Sequence, residues 1–246
     1  LTLKTKDAED LCRIADEQNR TLMVGHLMEY HPAVEKLKEL IDSGELGDIH
    51  YLYTQRINLG IIRKDENALW SLAPHDISIA LYLLGQEPDT VSARGECYLQ
   101  PDIEDVVFCN LHFPDRAMAH IQVSWLDPHK VRKVTVVGSK KMVVFDDVEA
   151  TEKIRIYDKG VNGTGYASYG DALTLRFGDI TIPRINMSEP LRTECEHFLT
   201  SIREGKAPRS DGRDGLRVVR VLDAAQRSLK NSGIPLCVYI SETCRV

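Results

Sequence analysis

The sequence predicts an α/β chain in which the closing end of a parallel-sheet unit leads into a mostly antiparallel open sheet with flanking helices. Three patterns carry that expectation. Over residues 5–44 a helical period, a short apolar run and a second helical period follow one another, the order of an α/β unit. From Ile49 onward, runs of period two recur with hairpin-type turns between them. Two further amphipathic stripes then close the chain.

Thr5 is placed to cap a first helix, with Asp7 and Glu9 in its first turn and Ala8, Leu11, Cys12 and Ala15 on one face. Asn19-Arg20 breaks it. Thr21-Leu-Met-Val-Gly25 then reads as a buried strand of the parallel-sheet type. A second helix opens near His31-Pro32, carries Ala33, Val34, Leu37, Leu40 and Ile41, and stops at Ser43-Gly44. Along the strand from Ile49, residues Ile49, Tyr51, Tyr53, Gln55 and Ile57 share one face. His50, Leu52, Thr54, Arg56 and Asn58 share the other, which reads as the polar one.

A helix is predicted to start with Pro74 and His75 in or just before its first turn. It continues through Ile77, Ala80, Leu81 and Leu84 to a stop at Gly85. Strands are expected around 90–99, 105–113, 117–125, 131–137, 141–146 and 153–157, with turns at Pro114-Asp115-Arg116 and Gly138-Ser139-Lys140. Segment 159–171, rich in glycine and small polar residues, reads as a mobile loop. Leu191, Cys195, Phe198, Leu199 and Ile202 mark a helix ending at Gly205. Val218, Leu222, Ala225 and Leu229 mark another ending at Asn231.

Composition excludes several classes. The 246 residues are 43% hydrophobic and 28% charged, ordinary for a globular chain able to bury a core. A net charge of -6 argues against a broad nucleic-acid surface. No apolar run approaches the roughly 18–20 residues that cross a bilayer, and no secretory segment opens the chain. The six cysteines (12, 97, 109, 195, 237 and 244) contain no C-x-x-C pair, and no histidine or carboxylate spacing suggests a metal. A cytoplasmic protein with reduced thiols, no disulfides and no bound metal is expected.

Chemistry concentrates in Asn67-Ala-Leu-Trp-Ser-Leu-Ala-Pro-His75-Asp. At a helix start, His75 would be held neutral by the positive end of the dipole and could accept a proton near neutral pH. The plainer reading is that it satisfies backbone groups there. Polar Asn67 and Ser71, with Trp70 between them, support the functional one. Gly25-His26, at the end of an apolar run, stands where cofactors sit in open α/β sheets, although a tight turn would look the same. Arg56 and Asn58 could hold an anionic or hydroxylated substrate. Arg184-Ile-Asn186, with Tyr166, Tyr169 and Asp171, could form a lid over a phosphate or carboxylate. In Arg209-Ser-Asp-Gly-Arg-Asp-Gly215, Asp211 or Asp214 is placed to cap the last helix. No G-x-G-x-x-G follows a strand, so the sequence carries no dinucleotide fingerprint of its own.

Taken together, Met23-Val-Gly-His26, Tyr30-His-Pro-Ala33, Ala-Pro-His75-Asp, Val136-Val-Gly-Ser139, Glu189-Pro-Leu191 and Ser210-Asp-Gly-Arg-Asp-Gly-Leu216 resemble the glucose–fructose oxidoreductase/inositol dehydrogenase (Gfo/Idh/MocA) family. The likeness runs through essentially the whole chain. The stretch around His75 looks most similar to the nucleotide-sugar 3-dehydrogenases of that family.

The resemblance implies an NAD(P)-dependent oxidoreductase acting on a sugar hydroxyl, namely the 3-hydroxyl of a UDP-N-acetylhexosamine or its uronic acid. An inositol or polyol dehydrogenase, or a non-catalytic sugar-nucleotide-binding fragment, is the alternative. It further implies that residues 1–30 close a Rossmann domain and that 31–246 form an α/β domain for substrate binding and oligomerisation. About 100 further residues would precede Leu1, carrying the fingerprint and a catalytic lysine. By the same likeness His75 falls on the active-site histidine, while Gly25, His26 and Pro74 line the nicotinamide end. Arg56, Asn58, Asn67, Ser71 and Arg184 face the sugar nucleotide, and a homodimer or tetramer forms through the open sheet. The family often has aspartates four residues before and three residues after the histidine. Here Ser71 and Ser78 stand instead, and the Ser71 departure argues against the inositol dehydrogenase type. Glu29 replaces a basic residue frequent before the tyrosine, putting any cofactor contact by it in doubt.

Overall fold

The computed structural model describes residues 1–162 and 174–239. Helix α1 (Thr5–Glu17) leads through a 3₁₀ turn (Leu27–Tyr30) to α2 (Pro32–Asp42), β1 (Ile49–Ile57) and α3 (Ala68–Leu84). Then come β2 (Thr90–Glu96), β3 (Val106–His112), β4 (Met118–Ser124), β5 (Val131–Gly138), β6 (Met142–Asp146), β7 (Ile154–Asn162) and β8 (Thr174–Thr181). Helices α4 (Pro190–Glu204) and α5 (Gly212–Lys230) and a short β9 (Leu236–Cys237) follow. The strands form one sheet in the order β8-β7-β6-β5-β1-β4-β3-β2-β9. Every pairing in it is antiparallel except that of β1 with β4, where Arg56 lies opposite Val123.

Helices α2, α3 and α5 cover one face of this sheet. Leu52, Val107, Cys109, Leu111, Ala119, Ile121, Val123, Val134 and Val136 point into that core, where burial of each large side chain contributes about 1.5–3 kcal/mol. Tyr51, Tyr53, Phe108 and Met118 lie on the opposite, exposed face, with the Tyr51 and Tyr53 rings stacked at 6.5 Å between centroids. The two faces of β1 therefore divide as the alternation predicts, but their characters are exchanged. Leu52, Thr54 and Arg56 are buried beneath the helices, and the tyrosines face outward. Among the described residues, no helix is long and apolar enough to cross a membrane.

Four expectations need correction. Thr5 is the first helical residue of α1, and Lys4 holds the cap position without a side-chain cap bond. The run 21–25 makes only a single bridge, Met23 to Asp211, because no described strand lies beside it to extend a parallel ladder. The expected loop from residue 159 instead begins as the end of β7, which pairs through Asn162 with β8; residues 163–171 lie outside the described ones. Cys237 is disulfide-bonded, so the expectation of a chain without disulfides fails there. The lack of C-x-x-C argued only against metal and redox motifs, and a disulfide needs no such spacing.

Candidate active site

Helix α3 begins earlier than predicted. Asn67, in extended conformation, accepts the backbone N–H of Trp70 at 3.1 Å and caps it, while its Nδ2 donates to Glu104 Oε2 (2.6 Å) and Gln226 Oε1 (2.9 Å). That amide is thus committed to holding the helix start against its neighbours, which the sequence alone did not separate from substrate binding. Pro74 and His75 lie inside the helix, not at its first turn. Pro74 has no N–H to return to the preceding turn, and the cap and the core on both sides carry the helix past it.

His75 still has the character of a neutral base, from a different cause. It is half-buried, and its Nδ1 is buried with no hydrogen-bond partner. Burial lowers its pKa below the ordinary 6.5 and the Arg56 guanidinium lowers it further; Asp76 pulls the other way, and Arg132 adds a smaller push down. The helix N-terminus has no part in this.

Beneath α3, the end of β1 presents Arg56, whose Nε donates to Asp76 Oδ2 at 2.6 Å; both side chains are buried. Arg132 is the register partner of Arg56 on β5, and its Nη1 lies 3.5 Å from Asp147. The sequence reading did not bring Asp76 or Arg132 to this candidate site. Asp76 was legible as the neighbour of His75, but Arg132 enters only through strand pairing. Asn58 follows β1, with its backbone N–H on Ser124 O at 3.2 Å and its side chain folded over Gly60. Ser71 lies one turn before His75 on the same helix, hence on the same face. Arg184 is exposed in the irregular stretch after β8, and no described contact joins it to His75.

The turn at Gly25-His26 approaches this site. His26 is buried and its Nε2 has no partner. Burial pushes its pKa down to about 4, and His75 is near enough to oppose a charge on it. A Cβ on Gly25 would meet nothing closer than Glu194 Oε1 at 3.8 Å, so packing within the chain does not demand glycine there. The space above this backbone is open to an outside group. The turn is held by Val24 N–H on Ser210 O (2.8 Å), Ser210 Oγ on Val24 O (2.7 Å) and Tyr30 Oη with Ser210 Oγ (3.0 Å).

A cleft of about 730 Å³ lined by Cys12, Arg20, Lys206 and Arg213 lies between the ends of α1 and α4 and does not include His75. Among the described residues, no group of three or more His, Cys, Asp or Glu could hold a metal ion.

Residues 34–144 match the family model of the GFO/IDH/MocA C-terminal domain. Myo-inositol 2-dehydrogenase of Thermotoga maritima is 24% identical over 241 residues, covering 94% of this chain and 68% of that protein. UDP-N-acetylglucosamine 3-dehydrogenase of Acidithiobacillus ferrooxidans is 26% identical over 219 residues, covering 89% of this chain and 65% of that protein. The fold matches that of an inositol dehydrogenase homologue from Azotobacter vinelandii, solved with NADH and myo-inositol. The TM-score is 0.76 at 16% identity, over 96% of this chain and 69% of that one. Across these curated relatives the chain spans 43 to 68% of the relative's own length. The resemblance read from the sequence holds.

Proposed function

With residues 34–144 matching a GFO/IDH/MocA C-terminal domain as the premise, we propose that this chain provides the substrate side of an NAD(P)-dependent oxidoreductase. Its substrate is a sugar hydroxyl, foremost the 3-hydroxyl of a UDP-N-acetylhexosamine or its uronic acid. The single observation behind the reading is His75, an imidazole held neutral by burial and two arginines, with a buried ring nitrogen unpartnered.

The residues present fit a nicotinamide end. Gly25 leaves its backbone approachable, and the buried His26 Nε2 lacks any partner within the chain. Nicotinamide, when bound, supplies the acceptor for the hydride leaving the sugar carbon. His75 takes the hydroxyl proton, without which an alcohol does not readily release hydride. Arg56, fixed by Asp76, and Arg132 oppose the negative charge that develops on the oxygen. Ser71 and Asn58 orient the sugar, and Arg184 serves the diphosphate end. Residues 1–30 act as the end of the dinucleotide-binding unit, Pro74 helps shape the nicotinamide side, and copies associate through the open sheet face of Tyr51 and Tyr53 in the cytoplasm.

A second reading, oxidation of inositol or another polyol, draws support from the Thermotoga maritima relative, which covers 94% of this chain. NAD(P)⁺ reduction by the enzyme with UDP-sugars and with free polyols separates the two. The expected result is turnover with a UDP-N-acetylhexosamine. Turnover with free polyols alone favours the second reading, and NADH binding without any turnover favours a non-catalytic module. His75→Ala should cut turnover by about 10²–10⁴-fold while NADH still binds. Parallel loss of both would make His75 structural.

A further inference from the structure

Glu29 stands where a basic residue is frequent in the resembling family, and the structure buries it to 1% exposure. Its carboxyl lies against that of Asp214, itself 6% exposed in the first turn of α5. One oxygen of each, Glu29 Oε1 and Asp214 Oδ2, is buried without a hydrogen-bond partner. The nearby cations are engaged elsewhere. Arg217 binds Asp214 Oδ1, and Arg209 binds the Glu29 backbone carbonyl and the Glu35 carboxylate. Among the described residues, no guanidinium hydrogen-bonds the Glu29 carboxyl. Two carboxyl groups in contact, away from water, cannot both ionise, because desolvation and mutual repulsion both favour keeping one proton.

We propose that Glu29 and Asp214 form a single-proton carboxyl pair that positions the His26 turn against the start of α5. Glu29 carries the proton and directs it at Asp214, whose other oxygen binds Arg217. Burial, then the Asp214 charge, pushes the Glu29 carboxyl up to about 9, so the pair keeps its proton through neutral pH. The turn is short and direct: Glu29 N–H donates to His26 O at 2.9 Å, so the anchor of Glu29 is also the anchor of His26. The charged and titratable groups around the pair are Asp214 and Arg217 of α5, Arg209 before it, and His26 itself. Beyond His26 is His75 of α3, while Glu194 of α4 faces Gly25. The pair stands on this chain's own geometry; only its service to the nicotinamide end rests on the oxidoreductase reading.

The test uses Glu29→Gln, which keeps the shape and a donor, and Asp214→Asn. At neutral pH the infrared spectrum of the wild-type chain should show a protonated-carboxyl carbonyl band that Glu29→Gln removes. In an NMR titration, Glu29→Gln should leave the His26 midpoint in place, whereas Asp214→Asn should move it lower. An absent band, or a His26 midpoint that falls in Glu29→Gln, means that Glu29 is ionised and overturns the pair. If Asp214→Asn does not fold, the infrared band and the Glu29→Gln titration decide alone. Neither readout involves turnover, so this proposal and the enzymatic reading can fail separately.

Discussion

Arg56 Nε lies 2.6 Å from Asp76 Oδ2, joining the end of β1 to the middle of α3 by a buried ion pair directly under His75. Such a pair adds little net stability against an apolar replacement, but removal of one partner strands a charge. Asp76→Ala should therefore lower unfolding free energy by about 3–5 kcal/mol, and a double change to Arg56→Met with Asp76→Leu should recover most of it. Chemical denaturation of the three proteins checks this, and equal losses in single and double variants would contradict it.

The same pair should set the titration of His75. Arg56 pushes its pKa down and Asp76 pulls it up. Arg56→Met should move the His75 midpoint up and Asp76→Asn should move it down, as followed by NMR of the ring protons. An unmoved midpoint in both variants would show that burial alone governs the ring.

Acid sensitivity follows from His26. Its folded pKa of about 4 lies below the ordinary 6.5, so the folded state favours the neutral ring. Stability from this group is present above pH 6.5 and is lost as pH falls toward about 4. Melting temperatures across that window should drop for the wild type and drop less for His26→Gln. Parallel curves would count against the burial account.

Asn67→Ala removes a helix cap and leaves the Glu104 and Gln226 oxygens without its amide. The cap alone is worth about 0.5–2 kcal/mol, so a loss of at least that size is expected in thermal unfolding. Asn67→Asp should retain the cap contact yet still destabilise, because it places a carboxylate against Glu104. A fully stable Asp variant would argue against this contact.

Two turn glycines provide an internal control. Gly44 and Gly47 both have positive φ, +70° and +75°, but a Cβ on Gly44 meets nothing within 4 Å. On Gly47 it would lie 2.3 Å from Ser139 Oγ and 3.0 Å from the Lys140 backbone nitrogen. Gly44→Ala should cost about 1–2 kcal/mol from left-handed strain, and Gly47→Ala clearly more. Comparable melting temperatures would mean that the turn relaxes.

The helix stops were the most legible parts of the fold, since each depends on a few adjacent residues. Gly85 and Gly205 end α3 and α4 in left-handed conformation, as the local pattern required, and of the two candidates Asp211 and Asp214 it is Asp211 that caps α5. The start of α3 was not legible. Pro74 reads as a helix opener in isolation, and only packing of the preceding residues Ala68, Leu69 and Ala73 into the core extends the helix through it. β8 was missed because Gly178 and the exposed Leu175 and Phe177 of this edge strand lack a buried alternation.

By itself the sequence determined most of the order of elements, the alternation of β1 and the family likeness, and it singled out His75 as the candidate, because each is written in local spacing. Tertiary structure decided which face of β1 is buried, and so turned Arg56 inward to Asp76. It also brought Arg132 beside them across the β1–β5 ladder, gave Asn67 to the helix cap, and joined Glu29 to Asp214 across 185 positions of chain. These are contacts between residues far apart in sequence. Burial and charge at such contacts depend on packing, which no spacing along the chain records.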